Sequence, residues 1–178
     1  MLLLDRRFDV SVATVAPHAL SVAERDGVEQ FLFREAEYLD DRNFDAWLNL
    51  WDDHGRYWVP RFEGQSNPFE QISLFWEDRM LREVRVKRLL NARNWSQQPA
   101  TRSSHLVGNI VVKGVDASGH LIVRSSVHYT EWRSEQRHLA GTVHHKLVSD
   151  GEGGWRIRLK RVDLVNCDSV FASLEVFI

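Results

Sequence analysis

The sequence predicts an α+β fold: helices come first, and a strongly curved antiparallel sheet wraps them into a cone. Apolar residues in the first half recur at helical spacing, most clearly Phe44, Trp47, Leu48 and Trp51 at i, i+3, i+4 and i+7. From residue 102 onward the period changes to two and stays there, broken by the turn formers at 116–119 and 150–154. Helices followed by strands imply segregation of the two in space. Strands of about ten residues bend as the sheet twists, which curves the sheet over the helices.

Residues 1–20 lack a period and are expected to form an N-terminal arm. Residues 21–178 are expected to form a single cone domain. Ser21 and Glu24, three apart, make a capping box that opens the first helix. Its buried stripe runs through Val28, Phe31, Leu32, Glu35, Ala36 and Leu39. Glu35 interrupts that stripe. It is either an edge residue with its carboxylate in water or a carboxylate held inside a pocket. Asp40, Asp41 and Arg42 break the helix before the short aromatic helix. Asp52, Asp53, His54 and Gly55 then predict a turn. The chain leaves as a strand, Arg56, Tyr57, Trp58 and Val59, which Pro60 limits.

Residues 62–70 read as a loop. Ile72, Leu74 and Trp76 alternate with Gln71, Ser73 and Phe75, giving a strand. Glu77 and Asp78 open a helix, their charges complementing its N-terminal dipole. Met80, Leu81, Val84 and Leu89 are expected to face inward. Arg79, Arg82, Arg85, Lys87, Arg88 and Arg93 form a basic face, either solvated or set against an acidic protein surface. Residues 94–101 are a loop held by Trp95 and Pro99. Strands follow over 102–115, 121–132, 138–148 and 155–165, and residues 171–178 are a candidate final strand.

Composition excludes several classes. Hydrophobic residues make up 43% and charged residues 27%, a globular mix. The net charge of -2 supplies no basic field for nucleic acid. No run approaches the roughly 18 apolar residues of a membrane span, and the opening residues lack the pattern of a signal peptide. A cytoplasmic location is expected, and one cysteine, Cys167, forms no internal disulfide. Aromatics reach 11%, with seven Trp, which points to large buried surfaces or an interface.

No motif fixes a catalytic or metal centre. His144 and His145 are adjacent, so on a strand they point to opposite faces and cannot share an ion. A metal-binding helix motif, a Rieske-type Cys–His pair, a phosphate loop and a nucleophile elbow are all missing. Cys167 reads as a small buried hydrophobe. Asp41, Tyr57, His105 and Asp163 are the polar residues that could line a cone pocket and act as general acid or base. No spacing selects a pair among them.

Several stretches, in order, resemble the small (β) subunit of aromatic-ring-hydroxylating dioxygenases. They are residues 39–60, Ile72-Ser73-Leu74-Phe75-Trp76-Glu77-Asp78-Arg79, residues 102–110, Trp155-Arg156-Ile157 with Arg161-Val162, and Leu174-Glu175-Val176-Phe177-Ile178. The resemblance implies a nuclear transport factor 2-like cone. It implies a non-catalytic β subunit that scaffolds α subunits carrying the Rieske [2Fe-2S] cluster and the mononuclear Fe(II), commonly as an α3β3 hexamer. A chain with one Cys cannot supply the two Cys of a Rieske ligand set, so this chain is expected to hold no cofactor or metal. Trp76, Arg79, Arg82 and Arg85 are its subunit-interface candidates. Leu164-Val165-Asn166-Cys167 looks closer to members acting on aromatic acids such as benzoate or anthranilate. The alternatives are a stand-alone isomerase or dehydratase using the cone as an acid/base pocket, and a non-catalytic interaction module.

Overall fold

A computed structural model describes residues 7–171, 174 and 176–178. Helix α1 spans Val22–Asp40, and the capping box is present: Glu24 N–H donates to Ser21 Oγ, while Glu24 Oε2 accepts from Ser21 N–H. Arg42, at φ 57°, turns the chain. Its guanidinium then donates to Leu89 O, Thr101 O and Gln97 Oε1, tying the turn to the 94–101 loop. Helix α2 spans Phe44–Leu48. It is shorter than the aromatic period suggests, because Trp51 already begins strand β1, Trp51–Pro60.

The predicted turn at 52–55 is instead a bulge inside β1. Between Trp51 and Arg56 the strand advances five residues while its neighbour advances two, from Ile157 to Leu159. Gly55 is required there, since a Cβ would sit 2.6 Å from Ile157 O. Strand β2 (Ser73–Glu77) and helix α3 (Arg79–Leu90) follow, the latter capped by Asp78, whose side chain accepts from Leu81 N–H. A short 3₁₀ turn, Trp95–Gln97, precedes β3 (Arg102–Val115), β4 (Leu121–Trp132), β5 (Gln136–Ser149) and β6 (Trp155–Leu164). Trp95 is 83% exposed and does not hold its loop. The buried Gln97 and Thr101 do, through Gln97 Nε2 donating to Thr101 Oγ1.

The sheet order is β2-β1-β6-β5-β4-β3. The expected antiparallel sheet is therefore mixed: β1 runs parallel to β6, and every other pairing is antiparallel. Closing β1 onto β6 lets the helical half and the strand half share one sheet. The fold is the α+β cone, with α1 and α2 inside the curve. The inner core joins Val28, Phe31, Leu32 and Leu39 of α1 with Trp47, Trp51, Tyr57, Val123, Val127, Val143 and Val162. A second, outer cluster joins Phe8, Trp58 and Leu159. There the segment before α1 lies on the back of the sheet, fixed by Lys146 Nζ donating to Asp9 Oδ2 at 2.8 Å and by a backbone bridge between Ala16 and Val115.

Two expectations change, although Leu89 faces inward as expected. On α3 the inward residues are Arg82, Val86 and Leu89, while Met80, Leu81 and Val84 are 46%, 41% and 49% exposed. The residues at 171–178 form no strand among those described. Instead Val176, Phe177 and Ile178 are buried in the inner core, with the Phe177 ring 4.2 Å from that of Trp47 and Ile178 N–H donating to Tyr57 Oη. Residues 172, 173 and 175 of that expected strand lie outside the described residues.

Candidate functional site

The cone interior holds two polar constellations. The first centres on Glu35, 3% exposed on the buried stripe of α1. Of its two expected positions it takes the internal one. Lys160 Nζ donates to Oε1 at 2.8 Å, Trp47 Nε1–H to Oε1 at 3.2 Å, and His145 Nε2 lies 2.9 Å from Oε2. Burial pushes the Glu35 carboxyl up, but Lys160 and His145 outweigh it and hold it well below its ordinary value. Burial lowers His145, with Glu35 offsetting part of the effect. The constellation is thus a buried carboxylate–ammonium pair braced by a neutral imidazole, the arrangement that makes a buried charge tolerable.

The second constellation is Asp40 with His105. Asp40 Oδ1 lies 2.6 Å from His105 Nδ1, Oδ2 accepts from His105 N–H, and Ser103 Oγ donates to Oδ1. Burial raises the Asp40 carboxyl, yet the bonds from His105 and Ser103 leave it below its ordinary value. The His105 side chain is 2% exposed and its ring stands 4.8 Å from that of Tyr129. An Asp–His pair is a recognised acid/base unit.

The four pocket candidates do not meet. His105 is internal, but its carboxylate is Asp40, one residue before the predicted Asp41. Asp41 is exposed and closes α1 as its C-cap. Tyr57 is buried among aromatics, and burial pushes its hydroxyl up. Asp163 points to the opposite side of the sheet. There Arg161 grips both its oxygens at 2.8 Å, and His144 Nδ1 stands 3.5 Å away. Burial raises the Asp163 carboxyl, but His144 and Arg161 outweigh it and hold it below its ordinary value. His144 and His145 do face opposite ways. Among the described residues no three His, Cys, Asp or Glu side chains group around one ion position.

Of the interface candidates, Arg82 is corrected by its burial. Arg82 is 1% exposed and lies within its own chain: Nη1 donates to Gly55 O and Glu77 O, and its guanidinium stacks 3.9 Å over Trp51. Arg85 pairs with Glu77 at 2.5 Å and stacks 3.6 Å over Phe75. Trp76 is partly buried against Phe8 and Trp58. Arg79 alone of the four is exposed, between Asp53 and Glu83. Sequence reasoning missed Lys160, Asp40 and Phe177. The one available signal was Glu35 on an apolar stripe, since a carboxylate there needs a cation.

The space around these groups is uneven. Between Glu35, His105, Ser125, His145 and Lys160 the interior keeps only about 10 Å³ of room. Outside the cone, an open groove of about 690 Å³ runs between α1 and β3 along Phe33, Asp40 and Leu106. Another, of about 390 Å³, lies between α2, β1 and α3, where Arg79 is already paired with acids. No helix among the described residues is long and apolar enough to cross a membrane.

Comparison with known proteins finds dioxygenase β subunits among the relatives of this chain. Toluate 1,2-dioxygenase subunit beta of Pseudomonas putida is 36% identical over 90 residues, which is 48% of this chain and 56% of that protein. The match thus spans about half the length of that relative. The crystal structure of the beta subunit of the benzoate 1,2-dioxygenase from Burkholderia mallei superposes with a TM-score of 0.68 at 26% identity, covering 87% of this chain and 97% of that one. A chain of naphthalene 1,2-dioxygenase shares the fold, with a TM-score of 0.76 at 20% identity and coverage of 90% and 89%. The family model described as the ring hydroxylating beta subunit matches residues 34–169. That stretch runs from the helix carrying Glu35 to just past the last strand, and the chain belongs to this ring-hydroxylating β-subunit family.

Proposed function

We propose that this chain is the structural, non-catalytic β subunit of an aromatic-ring-hydroxylating dioxygenase that acts on an aromatic acid. Its α subunits carry the Rieske [2Fe-2S] cluster and the mononuclear Fe(II), and the assembly is an α3β3 hexamer in the cytoplasm. The observation that carries this reading is the filled interior around Glu35 and His105 among the described residues. Ligand sites have volumes of roughly 300–1,000 Å³, whereas the polar interior here keeps about 10 Å³. Its ionisable groups are also bound to one another, as in a brace. Two of these relatives, named for toluate and benzoate, support the aromatic-acid class. One Cys does not fit a Rieske ligand set, so no step of the redox chemistry is assigned to this chain's residues.

A second reading has one specific observation in its favour: the Asp40–His105 pair borders the outer groove. On that reading the chain is a cone-fold isomerase or dehydratase with His105 as base. The test is specific activity per assembled, iron-replete oxygenase for His105→Gln and Asp163→Asn. The scaffold reading expects changes under about threefold, less than roughly 0.7 kcal/mol of barrier. A loss of about 10²–10⁴-fold with assembly and iron intact overturns it, because that is the size of a lost general acid or base.

A further inference from the structure

Two exposed surfaces of this chain adjoin each other and are opposite in charge. The first is the outward face of α3. Met80, Leu81, Val84, Lys87 and Arg88 fall on one side of the helix, and all are exposed. Asn94 Nδ2–H donates to Arg88 O, which brings the following loop onto the end of that helix. The loop adds Arg93 and Trp95, both exposed. Lys87 and Arg88 suit the negative end of the helix dipole. The dipole explains neither the three apolar side chains nor a Trp in water. Trp, Met and Arg are residue types enriched in protein interfaces.

The second surface is the outer groove between α1 and β3. Phe33 and Leu106, 41% and 69% exposed, are its apolar residues. Its acids are Glu37, Asp40 and Asp41, against one arginine, Arg34. The acids occupy the last turn and C-cap of α1, and that turn holds no basic residue. A helix C-terminus is the negative end of the dipole, so acids are unfavourable there without a cation from elsewhere. Arg42 Nη2 donates to Leu89 O at 3.1 Å, which sets the end of α1 beside the end of α3. Even so, among the described residues Glu37 and Asp41 form no ion pair, and neither do Lys87, Arg88 and Arg93. The opposite charges of the two surfaces are therefore unused within one chain.

Their spacing agrees as well. Phe33, Glu37 and Asp41 lie four apart along α1, and Met80, Val84 and Arg88 lie four apart along α3. Each row is about 12 Å long. Laid side by side in the same direction, the rows set Phe33 with Met80 at the apolar end and Asp41 with Arg88 at the charged end. We propose that α3 of one chain docks in the α1–β3 groove of a second copy of this chain. Phe33 and Leu106 then cover Met80, Leu81 and Val84, while Glu37 and Asp41 face Lys87 and Arg88. Joining two different patches is a heterologous contact, which repeats about an axis and closes as a ring. A ring of three accords with the proposed α3β3 assembly. The contact rests on the two surfaces alone, so a chain that self-associates this way and recruits no α subunit fails the oxygenase reading and leaves the contact standing.

The experiment is sedimentation velocity of the full-length chain over a concentration series, at low and high salt. The expected result is association beyond one chain that weakens as salt rises. Glu37→Arg with Asp41→Arg should weaken it about tenfold or more, and so should Lys87→Glu with Arg88→Glu, because each sets like charges opposite one another. The chain carrying all four exchanges should recover, since its signs are complementary again. Val84→Gln keeps every charge and should weaken association about threefold or more through lost apolar contact. A chain that is monomeric at every concentration overturns the proposal. So does association that ignores both charge variants, or a four-residue exchange that melts like the wild type and stays dissociated. If an exchanged chain melts early, Val84→Gln decides, and unchanged association in that variant overturns the contact. The same variants are also tested against the co-expressed α subunit and against vesicles containing phosphatidylserine. Loss of binding to either, with self-association intact, assigns the α3 face to that partner and overturns the proposal.

Discussion

Glu35 and Lys160, 125 positions apart in sequence, meet inside the cone at 2.8 Å and tie α1 to β6. Each is below 6% exposed at the side chain, so neither charge can return to water if the other is lost.

Glu35→Gln or Lys160→Met alone should therefore cost about 3–5 kcal/mol, because each leaves an uncompensated buried charge. The double variant should lose much less than the sum of the two. Chemical denaturation of all three variants closes the cycle. Additive losses would mean that the pair is not coupled.

The same interior sets the response to acid. His145 is held below its ordinary 6.5 by burial, so the unfolded chain binds this proton and the folded one resists it. Stability from this group is present above about pH 6.5 and is lost as pH falls below it. Glu35 adds a second loss below its ordinary 4.5, and Asp40 and Asp116, the latter just after β3 with Lys146 Nζ 3.0 Å from its Oδ2, add theirs below 3.8. Each group contributes at most about 1.4 kcal/mol per pH unit while it titrates. Glu77, raised by burial despite Arg85, works in the opposite direction and offsets part of the carboxylate loss. Melting scans from pH 8 to 4 should be flat at first, then fall below pH 6.5. In His145→Gln the decline should begin nearer pH 4.5, and an unchanged onset in that variant would exclude His145 as its source.

Trp47, at 0% exposure, touches Trp51 and Phe177 at ring distances of 5.3 and 4.2 Å. Trp47→Ala and Phe177→Ala should each cost about 3–5 kcal/mol. Because their rings touch, the double variant should fall short of the sum. Calorimetry of the three proteins checks it. A loss under about 1 kcal/mol for Phe177→Ala would place residues 176–178 outside the core.

Helix α3 offers a direct contrast of faces. Met80→Gln, Leu81→Gln and Val84→Gln should each change the unfolding free energy by under about 0.5 kcal/mol, as exposed sites do. Leu89→Ala, on the buried face, should cost about 2–5 kcal/mol. Urea titrations of the isolated substitutions separate the two. Equal losses on both faces would contradict the observed orientation of the helix.

What the sequence determined by itself is local. Ser21 and Glu24 mark the start of α1 because a capping box is made within one turn. The strands β3, β4 and β6 fall within one residue of their expected limits, since Gly-rich turns and alternation act between near neighbours. The tertiary structure decided the rest, wherever a residue's environment comes from distant chain. Period placed Leu89 correctly but put Met80, Leu81 and Val84 inward in place of Arg82, because an Arg is inward-facing only when something distant accepts its hydrogens. Gly55 O, Glu77 O and the Trp51 ring do so for Arg82. Asp52, Asp53, His54 and Gly55 read as a turn, but pairing with β6 holds them in a bulge. His105 pairs with Asp40 rather than Asp41 because α1 presents only one of two adjacent acids to β3. Glu35 is buried because Lys160 and His145 arrive on two strands more than a hundred residues later. Spacing fixes the order of side chains along one element, and the partner that makes a buried charge stable belongs to another.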